Sequence, residues 1–523
     1  MGRPAPVPVP RPGARRADMR AAAIVLMACT LLSGCLLGPD YKRPEVDAPP
    51  SFRFADQEAR DLVDTAWWEQ FQDPALNGVI ASALAGNKDV KIAAARVEQY
   101  LGQLQTTRAQ LFPQLGAGTQ AERQRLPVGS VNLPDNVGPV FNQYSATLSA
   151  SWEIDVFGRL RRQTEAARAL LLSSEEGRRA TILALVASAA SGYINLVALD
   201  RQLAIARATA ESRGESVRIF TLRYSYGEVS EMELAQSQSE YQAALATIPQ
   251  LELQIAQQED ALSVLLGGNP AAVPRDRGLD QLVLPAVPAG LPSELLARRP
   301  DLRQAEQNLI AANALIGAAR ALYFPSISLT GAFGTASTQF SNLFTGASKV
   351  WSFAGVVTVP IFTAGGIAGQ VRQAEAQHQQ MLLEYEKAIQ TAFQEVSDSL
   401  ISLRKTREAL AVQGKQVEAL GRYARLARLR YEGGYTSYIE VLDAERSLFN
   451  SQLTQAQTQG VVFSSIVQLY KAMGGGWVLE AERMTAGPPD PLKTTQADPA
   501  REASSTAAPQ ATSATAATRP IEP

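Results

Sequence analysis

Two stretches of more than sixty residues contain no proline, and they set the scale of the molecule. The first extends from Arg159 to Tyr226 and the second from Ile367 to about Glu432. Both are rich in alanine, leucine, glutamine and serine, a composition that favours helix. At 1.5 Å per residue each helix would be roughly 100 Å long, far longer than the helices of an ordinary globular domain.

Both stretches carry a seam of apolar residues spaced four and three apart, the pattern of a coiled coil. The seam comprises Ile182, Val186, Ala189, Tyr193, Leu196 and Leu203 in the first stretch, and Ile389, Phe393, Val396, Leu400, Leu403 and Leu410 in the second. The flanks are weakly polar rather than densely charged, which suits helices contacted on both sides in a closed wall. A solitary rod-forming coiled coil is the rival interpretation.

The chain is an internal duplication. Residues 87–97 align with 299–309 at an offset of 212, and Leu222-Arg223-Tyr224 aligns with Leu429-Arg430-Tyr431 at an offset of 207. Each copy predicts a helix, two strands, a very long helix, a glycine turn and a returning helix. We divide the chain into a leader (1–34), an N-terminal segment (35–72), a first repeat (73–268), a linker (269–292), a second repeat (293–475) and a tail expected to be disordered (480–523).

The predicted strands alternate between apolar and polar residues. From Tyr144 to Ile154 the apolar residues fall on every second position over eleven residues, enough to cross a bilayer when tilted. Trp152 and Trp351 suit a belt at the headgroups. The partner strands are expected to start at Gln114 and Ser326, each after a Phe-Pro pair that ends a helix.

A soluble sandwich would alternate in the same way, but the number of strands favours a membrane barrel. Four strands cannot close a barrel, and open edges are not tolerated in lipid. Three chains would supply twelve strands, although other multiples of four stay open.

The N-terminus predicts export. Met19-Arg20 precedes an apolar run from Ala21 to Leu32 and then Ser33-Gly34-Cys35, the order of a signal peptide, with Met19 as an alternative start. The run is too short to span a bilayer comfortably. Residues 32–35 resemble a bacterial lipobox, which implies a lipid on Cys35 as the acyl anchor and no other cofactor. In such lipoproteins an aspartate directly after the cysteine retains the protein in the inner membrane. Leu36 occupies that position here, so the outer membrane is expected. The alternative is a secretory leader that contains cysteine by chance.

Composition excludes several other classes. The net charge is −2 without a basic block, so no nucleic-acid partner is expected. The chain has one histidine, His378, and two cysteines, Cys29 and Cys35. These are too few of the side chains from which a zinc site or the catalytic group of an envelope hydrolase is built. Mean hydropathy near zero excludes a bundle of apolar membrane helices.

With these features in place, about residues 30–475 resemble the outer-membrane factor family of TolC- and OprM-type channels, closest to its NodT-like lipoproteins. The matching motifs are Gly38-Pro39-Asp40-Tyr41, Trp67-Trp68, Phe71, Asp73-Pro74, Asn87 to Arg96, the two Arg-Tyr turns and Val441 to Ala444. The resemblance implies a mainly α fold with a membrane β-barrel, in which a homotrimer forms a 12-stranded barrel and a 12-helix periplasmic tunnel. The 18 residues before Met19 and the long tail depart from the pattern.

The resemblance also implies a function and its residues. Ile439 and Asp443 lie one helical turn apart and would form aperture rings in the trimer. Arg430 and Tyr431 would tie neighbouring hairpins shut, with Glu233 as acidic partner and Glu231 second. An ordinary first-turn carboxylate is the alternative for Asp443, and simple solvated charges are the alternative for Arg430 and Glu233.

As a whole, the chain is expected to be the exit duct of a tripartite efflux system. The resemblance implies that its partners are a periplasmic adaptor and an inner-membrane pump. In the family this pump is commonly driven by protons. A protein-secretion duct is the alternative within the same class, and a coiled-coil lipoprotein without a pore is the alternative outside it.

Overall fold

The computed structural model describes residues 36–46, 49–54, 66–125, 139–288, 292–474 and 477–485. The predicted leader, Cys35 and residues 486–523 of the predicted tail lie outside the described residues.

Nine α-helices and four β-strands occur in this described part. The helices are α1 (Pro74–Gly86), α2 (Lys88–Ala109), α3 (Arg159–Ser225), α4 (Glu231–Leu265), α5 (Pro292–Arg298), α6 (Pro300–Ala321), α7 (Gly366–Glu432), α8 (Tyr438–Met473) and α9 (Trp477–Met484). The strands are β1 (Gln114–Arg125), β2 (Val140–Ile154), β3 (Ser326–Ser337) and β4 (Lys349–Thr358).

The two long helices are confirmed almost to the residue. Helices α3 and α7 each contain 67 residues and each follows a glycine with positive φ, Gly158 at 79° and Gly365 at 82°. All six seam residues of α3 are buried, as are four of the six in α7, while Phe393 and Leu410 are half-buried. One stretch of α3 is apolar enough to cross a membrane, with a mean hydropathy of 1.9, but 72% of it is buried by neighbouring helices. It is therefore part of the helical core.

The helices form a wall whose two halves have different members. Helix α3 packs against α2 and α6 near the strands and against α4 and α8 farther away. Helix α7 packs against α6 and then α8. The order across the wall is therefore α2–α3–α6–α7 beside the sheet and α4–α3–α8–α7 beside the turns. The shorter helices act as half-length partners, stacked end to end along the two long ones.

The strands form one antiparallel sheet in the order β1-β2-β3-β4. Strands β1 and β3 start at Gln114 and Ser326, as predicted. Helices precede β1 and β3 and follow β2 and β4, so every helix connects at the same end of the sheet. The outer edges of β1 and β4 have no partner strand within the described protomer. The sheet is therefore open on both sides.

An aromatic cluster joins the N-terminal segment to the ends of the second repeat. Trp67 stacks on Tyr470 with ring centroids 5.2 Å apart and meets Trp477 edge-on at 6.1 Å. The Tyr470 hydroxyl donates to the carbonyl of Ala286, 2.9 Å away, in the segment between the repeats. Aromatic pairs of this kind add to the stability gained from burial. The cluster thus packs the N-terminal segment, α8 and α9 into one buried core beside the helical wall, which we call the belt.

The start of the predicted disordered tail is ordered, which corrects the expectation for residues 480–485. Helix α9 extends to Met484 because Ala481 is buried against the belt and Glu482 forms ion pairs with Arg178 and Arg179 at 3.5 and 3.0 Å. The Thr, Ala, Ser and Pro composition that suggested disorder dominates only beyond this helix.

Candidate functional site

The far ends of the long helices turn back in the same way in both repeats. After α3, Gly227 adopts φ +75° and Glu228 N–H donates to the Arg223 carbonyl at 2.9 Å. After α7, Gly434 adopts φ +76° and Tyr435 N–H donates to the Arg430 carbonyl at 2.8 Å. A left-handed glycine that ends a helix in this pattern satisfies the last carbonyls and reverses the chain. Both turns lie at the end of the wall farthest from the sheet.

Of the predicted gate-tying residues, one protomer brings Tyr431 and Glu233 together. Burial, followed by the charge of Glu233, raises the pKa of the Tyr431 phenol, while Arg223 beside it opposes the rise. Tyr431 also packs on Phe220 and Tyr438, with ring centroids 6.1 and 5.2 Å apart. The phenol therefore connects α7 to the α3–α4 turn.

The other gate-tying residues, Arg430 and Glu231, are exposed, and the described residues of one protomer contain no ion pair to either. Glu233 closes a capping box at the start of α4, where its carboxylate accepts from the Ser230 N–H at 2.9 Å. A tie between neighbouring subunits stays a prediction. Arg223 was not predicted to take part, although it occupies the same place in the first repeat as Arg430 in the second.

The predicted aperture residues share an exposed face of α8. Ile439 is 55% exposed, and the side chain of Asp443 is 54% exposed. The Asp443 carboxylate accepts from Arg446 at 2.8 Å, a partner that the sequence analysis did not identify. No group of three or more metal-binding side chains occurs in the described part of a protomer. Any acidic ring would therefore need several subunits, and Arg446 would moderate its charge.

The strand register places most of the apolar residues of the four strands on one face of the sheet. Directly paired residues share a face, and Leu115 pairs with Ala150, Leu148 with Phe333, and Phe333 with Trp351. The other face carries mainly Ser, Thr, Gly, Ala and Gln, for example where Gly116 pairs with Ser149, together with Phe141, Val350 and Val356. A sheet with one exposed face that is apolar along most of its length and one mostly small, polar face fits the wall of a membrane barrel.

The two predicted interface tryptophans lie on this apolar face. The Trp152 indole N–H donates to the carbonyl of Leu111, 3.0 Å away, at the helical end of the sheet. Trp351 lies near the start of β4, stacked on Phe353 with centroids 5.9 Å apart. Both rings are exposed on this face, and their contact with lipid headgroups stays a prediction.

Residues 36–46, which we call the strap, follow the predicted lipid site and lie across α3, α6 and α7. The buried Arg162 donates to the Leu37 carbonyl at 3.0 Å and to Asp40 at 2.8 Å. Gly38 adopts φ +96°, and a Cβ there would lie 2.3 Å from the Cα of Gly317. The strap is thus held where the strands meet the helices.

A groove of about 510 Å³ lies between α3, α7 and α8 in the half of the wall near the turns. Its lining includes Arg201, Arg213, Arg425, Arg428 and Glu445, so positive charge dominates. Glu445 lies two residues after Asp443, which places it about 200° away around α8. If Asp443 faces the pore axis, the groove faces away from it.

An open four-stranded sheet with one apolar face, attached to two helices of about 100 Å, defines a protomer of an outer-membrane channel with a helical tunnel. A family model described as "Outer membrane efflux protein" matches residues 79–268 and 291–475. The chain belongs to this family.

Individual relatives and solved structures agree. The chain is 39% identical over 455 residues to the probable efflux pump outer membrane protein TtgC of Pseudomonas putida, covering 86% of this chain and 94% of that protein. It is 35% identical over 460 residues to the probable outer membrane lipoprotein SilC of Salmonella typhimurium, covering 86% and 97%. The open-state MtrE outer membrane channel of Neisseria gonorrhoeae superposes with a TM-score of 0.77 at 32% identity, covering 85% and 99%.

The expected family, fold class and outer-membrane location are thereby confirmed, and so is the function as an outer-membrane channel of an efflux system. The roles predicted for individual residues are not tested by these similarities.

Proposed function

We propose that three copies of this chain join their sheets into one barrel and their helical walls into one periplasmic tunnel. The observation that carries the proposal is the open sheet, whose β1 and β4 edges are unpaired in the described protomer although the sheet has an apolar face. In lipid, each backbone group without a hydrogen-bond partner costs roughly several kcal/mol. The two edges must therefore form hydrogen bonds with the strands of other subunits. Three sheets of four strands close into twelve.

The lumen of such a barrel would be lined mainly by uncharged side chains. On the polar face, the described strands carry two carboxylates, Glu122 and Glu153, and Glu153 pairs with Arg159 at 2.7 Å. Such a lining offers few groups that could select cargo. We propose drugs, solvents or other small molecules as the cargo, supported by relatives named as toluene, solvent and antibiotic efflux proteins. The duct itself performs no chemical step.

The partners in this proposal are a periplasmic adaptor and an inner-membrane, proton-driven pump. A duct that ends in the periplasm needs both to receive cargo from the inner membrane. The arginine-lined groove, which faces away from the axis defined by Asp443, offers the adaptor a docking surface. Acidic side chains on a partner helix would complement its charge.

A lipid on Cys35 completes the proposal. Cys35 itself lies outside the described residues. The strap that follows it is held by Arg162, in the first turn of α3, only a short loop after the end of β2. Leu36 lies close to Gly158, where an added Cβ would come within 3.0 Å of the Leu36 side chain. An acyl chain on the preceding residue would enter the periplasmic leaflet, and three chains with the barrel would anchor the trimer firmly.

The experiment that tests the channel is conductance of the purified protein in planar bilayers. The protein should migrate as a trimer that dissociates on heating and should form ion-conducting pores. Asp443→Asn should raise the resting conductance or weaken block by divalent cations, because three fewer carboxylates would face the aperture. Arg446→Gln, which keeps the carboxylate but removes its partner, is the matched control and should strengthen divalent block. A monomer without conductance would overturn the proposal, whereas unchanged currents in Asp443→Asn would reject only the aperture assignment.

A further inference from the structure

Three cationic side chains lie on the apolar face of the sheet, at the end away from the helices. Arg123 pairs in register with Asn142, Arg125 with Val140, and Lys349 with Thr335. Arg123 and Arg125 follow Leu115 at even spacings along β1, and Lys349 lies two residues before Trp351 in β4, so all three share the face that carries these apolar residues. Charges on a lipid-facing surface are costly unless they meet a polar partner.

The protein supplies no such partner within the described residues, where none of the three cations forms an ion pair and all are exposed. The adjacent carboxylate, Glu122, points to the opposite face of the sheet because side chains alternate along a strand. There it accepts a hydrogen bond from Gln120 at 3.2 Å. Among the described residues these cations therefore have no carboxylate partner, and an anionic lipid headgroup would supply one.

The register also gives the height of these side chains. In β2, Trp152 lies near the helical end, and the position opposite Arg123 is ten residues away. We take a rise of ~3.4 Å per residue and a strand tilt of ~40° from the barrel axis. Because tilted strands also shift paired residues in height by about 3 Å from one strand to the next, the shift lowers Arg123 and raises Lys349 relative to β2. Arg123 and Lys349 then both lie about 20–25 Å above Trp152. The apolar band of a membrane barrel is about 25 Å tall. Both cations thus reach the headgroups of the external leaflet.

Closure of the barrel brings the cations of two subunits together. Since β1 and β4 are the open edges, β4 of one protomer must pair with β1 of its neighbour. Lys349 and the neighbour's Arg123 and Arg125 then lie on adjacent strands at similar heights, directly above Trp351 and Phe353. One protomer carries all three cations, but on opposite edges of its sheet, so only the boundary between two subunits brings them together.

We propose that the cluster of Lys349 with the neighbouring subunit's Arg123 and Arg125 binds the phosphate of an acylated lipid in the external leaflet, once at each of the three subunit boundaries. Arginine binds phosphate oxygens in a planar, two-bond geometry, and lysine adds a mobile point charge. The acyl chains lie on the exposed rings of Trp351, Phe353 and Phe333 below. This inference rests on the proposed trimer, and the bound lipid would hold adjacent subunits together.

The test compares two forms of one lipid on the same trimer. The wild-type full-length protein is placed in phosphatidylethanolamine nanodiscs containing either bisphosphorylated lipid A or the same lipid A without phosphates, and bound lipid is counted by native mass spectrometry. About three lipid A molecules per trimer should be retained with phosphates, and without them retention should fall roughly tenfold or more. This arm needs no variant.

A second arm tests the residues. Arg123→Gln with Lys349→Gln should lower retention of the phosphorylated lipid roughly tenfold, because charged contacts at the phosphate are lost. The control pair, Arg96→Gln with Lys415→Gln, removes the same two charge types from exposed positions on α2 and α7 and should leave retention unchanged. Arg123→Lys with Lys349→Arg keeps the charges and should restore most of the binding.

Equal retention of both lipid A forms, or equal loss in the control pair, would overturn the lipid site. So would unchanged retention in the double glutamine variant. Trimer migration and conductance are measured on the same samples. A wild-type protein that is monomeric and non-conducting would instead refute the proposed channel, so the two failures are distinguishable.

Discussion

Removal of the Arg162 guanidinium should release the strap from the barrel–helix junction. The side chain of Arg162 is 2% exposed and donates to the carbonyls of Leu37 and Gly38 at 3.0 and 3.4 Å. It also forms ion pairs with Asp40 and Glu165, both at 2.8 Å. Arg162→Met keeps most of the volume of the side chain but removes every one of these hydrogen bonds.

The expected cost comes mainly from the backbone carbonyls. A hydrogen bond to a charged group contributes about 1.5–3 kcal/mol, and the longer Gly38 contact less. The Asp40 side chain is 84% exposed and that of Glu165 37% exposed, so water replaces much of what these carboxylates lose. A total of about 3 kcal/mol corresponds to a roughly 150-fold larger population of the open strap. The Asn313 side chain still donates to the Pro39 carbonyl at 2.9 Å, so the strap loosens rather than detaches.

Limited trypsin digestion measures this opening. Cleavage after Lys42 falls inside the strap, while Arg43 precedes Pro44 and resists trypsin. The new N-terminus at Arg43 should appear roughly 150 times faster in Arg162→Met, provided that opening and closing are fast relative to cleavage. Arg161→Met is the matched control, because Arg161 bonds Asp155 and the backbone of the β2–α3 loop instead of the strap. Equal cleavage in wild type and Arg162→Met would refute the clamp, as would equal acceleration in the control.

Two further predictions concern the end of the wall with the turns. Glu233→Gln preserves the capping box but removes the charge, so a gate-tying role predicts a higher resting conductance. Ser230→Ala should cost about 1 kcal/mol of capping and raise conductance less, and no change in Glu233→Gln would leave that residue as a helix cap. Arg425→Glu reverses a charge in the outward groove and should raise drug susceptibility of a complemented deletion strain at unchanged trimer abundance. Arg422→Glu, outside the groove lining, should not, and equal effects of both would argue against adaptor docking there.

The long-range architecture could be predicted because its signals are local. The lack of proline set the length of α3 and α7, and the Phe-Pro pairs ended the preceding helices before Gln114 and Ser326. Alternation within single strands predicted the apolar face, which the register then extended across the whole sheet.

The contacts that hold the strap, by contrast, depend on residues far apart in sequence. Arg162 lies 125 residues from Leu37, and in the sequence it is one arginine in the run Arg159-Leu160-Arg161-Arg162. Nothing local distinguishes the buried arginine from its half-buried neighbours, Arg159 and Arg161. Helix α9 was missed for a related reason, since only its packing against the belt and the pairing of Glu482 with α3 make so short a helix stable.

The duplication itself helps to separate local requirements from functional ones. Both repeats need a glycine turn and a helix start, so features required for these should occur twice. The residue types do, as Ser230 and Ser437 lie at the 207-residue offset and Glu233 has a counterpart in Glu440. The bonds differ, because Ser437 makes no side-chain cap bond and Glu440 accepts from the Thr436 hydroxyl, whereas Ser230 and Glu233 form a capping box. That capping box by itself suffices to explain Glu233, which makes Glu233→Gln the stricter test of the gate.

Asp443 behaves differently, because at the same offset the first repeat has Gln236. An acidic residue that served only the helix dipole would be equally useful at both helix starts. Its apolar neighbour Ile439 does have an apolar counterpart, Met232. A trimer would thus carry apolar side chains from both repeats but a carboxylate from the second alone. The turn does not require a charge at this position. An i,i+3 ion pair with Arg446 and an aperture ring of three carboxylates would each account for it, and the resting conductance of Asp443→Asn beside Arg446→Gln separates the two.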